Sequence, residues 1–268
     1  MTEPRTSLAR GLLLFTPVVL LGNAAGSLMR YPEIGAALFY MPYAALATAL
    51  VLAPGRDWVW YILIGALAHF IGHWPRWPLS WVLLADVANV VRALVAALLL
   101  RRFFAGAPRL DSVWAVLVFV ASAVLLAPAA GAAIGAANVV LHGVSTYWPA
   151  WRAWFMSNAL TGLTLMPAFL YAAGHTTRWW DGRREGQRAA EAWALAVALA
   201  GTCAIAFLLP ISGRWHGALP FYAPLPVLIW AALRFGPAGA SFALTAGAFG
   251  AGGGAGRGGG RSFAGQTD

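Results

Sequence analysis

The chain has 268 residues, 60% of them hydrophobic and 10% charged, with a mean hydropathy of +0.70. A soluble domain carries about a quarter charged residues, so this composition excludes an ordinary soluble enzyme and points to a polytopic membrane protein. The net charge of +9 comes from arginine alone, placed mostly in short loops, which orients a membrane protein rather than marking a nucleic-acid partner.

The first ten residues are polar, with Arg5 and Arg10, and a first span is expected from about Gly11 to Met29. It contains Pro17 and the pair Gly22 and Gly26, whose spacing lets helices approach closely. The N-terminus lacks the small-residue pattern of a cleavage site, so this run reads as a retained span. The second span is expected from about Ile34 to Ala53, interrupted by Pro42, and it ends at the breaker Pro54-Gly55-Arg56-Asp57. The third, about Trp58 to Gly72, runs into His73, Trp74 and Trp77, an aromatic density that suits a membrane interface.

The fourth span is expected from about Leu79 to Leu100 and carries Asp86, Asn89 and Arg92. Spacing by three predicts that they share one helical face. A basic loop follows. The fifth apolar stretch, from about Val113 to Leu141, is longer than one crossing needs and holds Pro128, Gly131 and Gly135, which predicts a kinked, tilted helix. After an aromatic loop, His142–Trp151, the sixth span is about Trp154 to Ala173, with Asn158 and Pro167 inside. The loop 174–191 carries Arg178, Arg183, Arg184 and Arg188, and the seventh span is about Ala192 to Ile211.

The last element, Tyr222 to Ser241, combines a short apolar run, Arg234 and the break Gly236-Pro237. Leu225 to Leu233 is too short to cross alone, since a crossing takes roughly 20 residues. A broken backbone at membrane depth must be satisfied by protein or water, so Arg234 is expected to face a bundle interior. The expected fold is an all-α integral membrane protein, a bundle of about eight transmembrane helices whose last element is broken by Pro and Gly. Residues 1–250 form the membrane domain, and 251–268 a flexible glycine-rich tail with no output domain. The arginine distribution places the N-terminus in the cytoplasm.

Three segments, in order, carry a family resemblance: ANVVRALVAALLLRRF at 88–103, WRAWFMSNALTGLTLMPAFLYA at 151–172, and LPVLIWAALRFGPAGA at 225–240. Together they resemble the first type of membrane-associated sensor domain, MASE type one, over essentially the whole chain. Asn158 stands where many relatives carry aspartate, and Tyr40-Met41-Pro42 replaces a Trp-Pro pair. The resemblance implies an input domain of bacterial signalling in the inner membrane. Its partners would be membrane lipid and a cytoplasmic histidine-kinase or diguanylate-cyclase output, and the relatives with kinase outputs imply a homodimer. No such output follows in this chain, so a free-standing sensor or a truncated gene product is expected.

The ligand or switch candidates are Asp86, Asn89, Arg92, Asn158, Trp230 and Arg234. An ionisable group within a span is by default a functional hypothesis; the competing reading is a structural hydrogen-bond network, with Arg234 reaching Asp86. Asn158 reads first as interhelical glue. His69 and His73 share a helical face but lack a third metal ligand. With one cysteine, Cys203, neither a disulfide framework nor a thiolate cluster forms. Neither a cofactor nor a metal is expected, and no catalytic motif occurs, so the chain is not expected to be an enzyme. The alternative from another class is a small transporter, which broken helices and buried polar groups also suit.

Overall fold

The computed structural model describes residues 8–28, 40–174 and 185–207, and single positions between 226 and 247. All regular elements among them are helical. They are α1 (Leu8–Leu28), α2 (Met41–Leu52), α3 (Trp58–His73), α4 (Leu79–Phe103), α5 (Val113–Leu141), α6 (Tyr147–Gly174) and α7 (Glu185–Phe207). α4 and α5, with 25 and 29 residues, are each long and apolar enough to cross a bilayer. The chain divides into two units, one ending at Leu170 and the other beginning at Tyr171.

Three boundaries differ from the sequence expectation. Pro42 does not interrupt α2 but sits in its first turn, where the missing N–H costs nothing. α6 begins at Tyr147, before the expected Trp154, because Pro149 also falls in a first turn; Trp148 and Trp151 are therefore helical. α5 does not simply kink at Pro128. It switches to a π-helix over Val120–Leu126 and returns to α geometry at Ala127. Pro128 cannot donate to the carbonyl four residues back, and its ring would press on that carbonyl. Widening the turn just ahead of the proline relieves both problems.

The first unit is apolar both inside and outside: Phe15, Leu50, Phe119 and Met166 are buried in its core, and leucines also cover its surface. Its interior is lined by alanine, such as Ala44, Ala88, Ala96, Ala123 and Ala136, together with Asn23, His69, Arg92, Asn138 and Thr161. Its surface carries Leu13, Leu63, Ile71, Leu117 and Leu126. Lipid supplies no hydrophobic drive between helices, so small interior residues that allow close backbone approach provide the packing. Glycines mark the tightest points. A Cβ on Gly162 of α6 would lie 2.4 Å from the Ala123 carbonyl oxygen in the π segment. One on Gly131 of α5 would lie 2.9 Å from the Arg92 Cβ, and one on Gly135 would run into the Trp154 ring.

The two ends of this unit differ. At one end Arg101, from the last turn of α4, donates to the carbonyls of Leu50 and Ala53 at 3.2 and 2.6 Å, and its guanidinium lies over the Trp58 ring. It thereby satisfies the orphan carbonyls at the C-terminus of α2 and complements that helix dipole. At the other end Trp77 stacks on Trp81, Trp81 meets His142 edge to face, and Ser80 Oγ lies 2.9 Å from His142 Nε2. Aromatic rings of this density suit the headgroup level of a bilayer.

The exposed apolar surface can be tested directly. Leu126 is 55% exposed near the middle of α5. On a water-facing surface Leu126→Arg would be nearly neutral; facing lipid it costs about 3 kcal/mol. We expect Leu126→Arg to lower membrane insertion in a glycosylation-reporter assay, and Leu126→Ile to leave it unchanged.

In the second unit, Leu195, Leu199 and Cys203 of α7 form one apolar cluster with Val227, Ala231 and Ala243. A Cβ on Gly239 would lie 2.9 Å from the Ala231 carbonyl oxygen, so the segment is closely packed there too.

Candidate functional site: a buried guanidinium seam

The polar groups of α4 point to three different neighbours. Asp86 faces α3, with one carboxylate oxygen 2.8 Å from His69 Nδ1. Asn89 Nδ2 donates to the Tyr40 hydroxyl at 3.4 Å. Arg92 Nη2 donates to Asn89 Oδ1 at 2.5 Å, and Nη1 to Asn158 Oδ1 of α6. The expected single face is thus corrected to a seam that winds around the helix. Each step of three residues falls about 60° short of a full turn, so two steps separate Asp86 from Arg92 by about 120°.

Among the described residues Arg92 is the largest fully buried side chain, with 1% of its surface accessible. Its guanidinium carbon lies 4.4 Å from the Tyr43 ring centroid and 5.0 Å from that of Tyr40. The two rings cover the cation with their electron-rich faces. Among the described residues no carboxylate pairs with it. A buried charge without a counterion is expensive, and the two amide oxygens and two rings offset only part of that cost.

Around this centre runs a continuous polar network. The Tyr40 hydroxyl donates to Asn23 Oδ1 of α1 at 3.1 Å, and the Tyr40 backbone N–H donates to Thr161 Oγ1 of α6 at 3.1 Å. The Tyr43 hydroxyl donates to the Ala123 carbonyl at 3.1 Å. That carbonyl belongs to the π segment, where the wider hydrogen-bond register leaves it open to a side-chain donor, and it also abuts Gly162. One guanidinium is therefore linked, through two tyrosines and two asparagines, to α1, α2, α5 and α6.

Of the residues proposed from sequence, Asn89, Arg92 and Asn158 meet directly. Asp86 contacts His69. Trp230 lies in the second unit and is partly exposed, and Arg234 lies outside the described residues. His69 and His73 have ring centroids 4.1 Å apart, and His73 Nδ1 lies 2.8 Å from the His69 carbonyl. Among the described residues no three metal-ligating side chains gather. Tyr43 and Asn23 escaped the sequence reading, and Tyr40 entered it only as a departure from the family pattern. The available signal was the i, i+3 spacing of the two tyrosines at the start of a span, which lets both rings meet Arg92.

No curated protein and no solved structure matches the chain. The model of one protein family, MASE1, matches residues 10–267, which include all three segments that carried the sequence resemblance. A buried cationic seam inside a small-residue helical bundle is compatible with a membrane-associated sensory role. With nearly its whole length matched, the chain belongs to the MASE1 family of membrane-associated sensory domains.

Proposed function

We propose that residues 1–250 form a signal-input domain in the bacterial inner membrane that passes a ligand or membrane cue to a cytoplasmic kinase or cyclase output. In this reading the bundle has about eight spans with a cytoplasmic N-terminus, and any catalysis belongs to the output. Asp86, Asn89, Arg92, Asn158, Trp230 and Arg234 are the ligand or switch residues. The observation that carries the proposal is the burial of Arg92 at a junction of several helices. A junction held by a few polar contacts has two discrete arrangements available, and a cue that favours one shifts the population toward it. The π segment beside Tyr43 is the place where α5 can absorb such a change, since π turns frequently occur at functional sites.

The test is output, not binding. The chain is joined to a histidine-kinase module and reconstituted in vesicles. Asp86→Asn and Arg234→Gln are each expected to change autophosphorylation by about fivefold or more, the lower end of typical coupling between sites. Phosphorylation by both variants equal to that of the unsubstituted fusion, at equal membrane content, rules the signalling role out.

A further inference from the structure

α3 and α4 meet through a second set of ionisable groups, which the guanidinium seam does not use. His69 Nδ1 lies 2.8 Å from an Asp86 carboxylate oxygen, with the two side chains 7% and 13% exposed. The contact lacks hydrogen-bond geometry at Nδ1, so charge is what joins the two groups. Among the described residues the carboxylate has no other partner. An ionised carboxylate left unpaired in such surroundings is costly, and a proton on His69 supplies the missing counter-charge. His73 stands one turn further along α3, its ring centroid 4.1 Å from that of His69. Its Nδ1 lies 2.8 Å from the His69 carbonyl oxygen. A carbonyl only accepts, so Nδ1 carries the hydrogen, and Nε2 gains one only when the ring becomes cationic. Two cationic rings at that spacing would repel each other beside a single carboxylate.

We propose that His69, His73 and Asp86 form a proton-binding site whose two imidazoles together hold one proton, set against the Asp86 carboxylate. A proton needs no cavity, only groups close enough to exchange it. His73 lies in the last turn of α3, beside the aromatic end of the unit, and His69 lies one turn deeper. A proton arriving from that end meets His73 first and comes to rest on His69. The groups around the pair do not alter the count. Tyr40 presents its ring to His69 edge to face at 6.1 Å, and α1 contributes a neutral amide, Asn23, against Gly72. Arg76 is exposed and donates to the Gly72 carbonyl, while Arg92 of α4 is held by Asn89 and Asn158. The Tyr40 ring that meets His69 also lies 5.0 Å from the Arg92 guanidinium carbon. A charge gained at His69 is therefore felt by a ring that stabilises the buried cation. The inference rests on the sensing role and deepens it by naming the cue, a proton. With a cytoplasmic N-terminus the third span ends at the outer face, so the site would sample acidity there. Proton binding is measured without an output module, so it and signalling can fail separately.

The experiment uses the full chain in a non-ionic detergent, with labelled histidine and with Gln in place of His142, His175 and His216, so that only the pair gives imidazole signals. Nitrogen chemical shifts, which separate charged from neutral rings and one tautomer from the other, are followed from pH 8 to pH 5, the range in which histidine switches. The expected result is uptake of one proton by the pair as a whole, with one ring neutral throughout, since coupled groups titrate together. Asp86→Asn removes the counter-charge and is expected to lower the proton affinity of the pair at least about tenfold. Should Asp86→Asn fail to fold, the count of protons in the parent chain decides alone. Uptake of none or of two protons overturns the proposal, as does an affinity unchanged in Asp86→Asn.

Discussion

Arg92→Glu is expected to prevent accumulation of folded protein, while Arg92→Met is expected to fold. In the first variant a carboxylate meets Asn89 Oδ1, Asn158 Oδ1 and the faces of Tyr40 and Tyr43, all of which were arranged around a cation. Each former attraction becomes a repulsion, and the new charge has no counterion among the described residues. Breaking a buried charge arrangement in this way costs about 3–5 kcal/mol, a large fraction of the stability of a typical domain. The methionine variant separates charge from shape. It leaves two amide oxygens without donors, which costs about 1–3 kcal/mol each, but it also removes the desolvation cost of the cation, which is of similar size. Membrane yield and size-exclusion profile distinguish the two outcomes. Equal behaviour of both variants would mean that the charge at this position has little influence on the fold.

Gly162→Val is expected to be the most damaging substitution of a neutral residue in the first unit. The added Cβ meets a backbone oxygen 2.4 Å away, not the end of a flexible side chain. Neither partner can turn aside, because Ala123 is held within α5 and its carbonyl already accepts from Tyr43. Relief requires α6 and α5 to separate, and overpacking that moves backbone costs roughly 3 kcal/mol. That corresponds to a fall of about 6–10 °C in the unfolding midpoint. Gly201→Ala is the control: nothing lies within 4 Å of its Cβ, and relief of the glycine's backbone entropy favours the helix slightly. A circular-dichroism melt that moved equally for both would show that the contact with Ala123 is not restrictive.

What the sequence reveals depends on whether the physical signal is local. The spans of α4 and α5 are legible because predominantly apolar helices of 25 and 29 residues have few alternatives to a membrane helix. The polar residues of α4 are legible for the same reason, since Asp86, Asn89 and Arg92 stand out against an apolar background. Their partners are not. Tyr40 and Tyr43 count as ordinary aromatic residues until the fold brings them over the guanidinium, and His69 reads as a half-formed metal site until Asp86 is seen beside it. The one-face expectation for α4 failed because repeated steps of three drift around a helix of 3.6 residues per turn. The early start of α6 was obscured by Pro149, which reads as a breaker but is accommodated in a first turn.

The π segment has a further consequence for comparing this chain with others. A π turn holds about one residue more than an α turn, so the two halves of α5 are out of register with a straight helix by that residue, an angular offset of about 100°. A related chain that lacks the bulge would present the same lipid-facing and inward-facing positions on both sides of it, yet be one letter shorter. An alignment across Val120–Leu126 that forbids a gap would then match inward positions of one chain to outward positions of the other. Counting from Pro128 backward and from Ser112 forward, and letting the numbering disagree in between, keeps Gly131 and Ala115 each against its true counterpart.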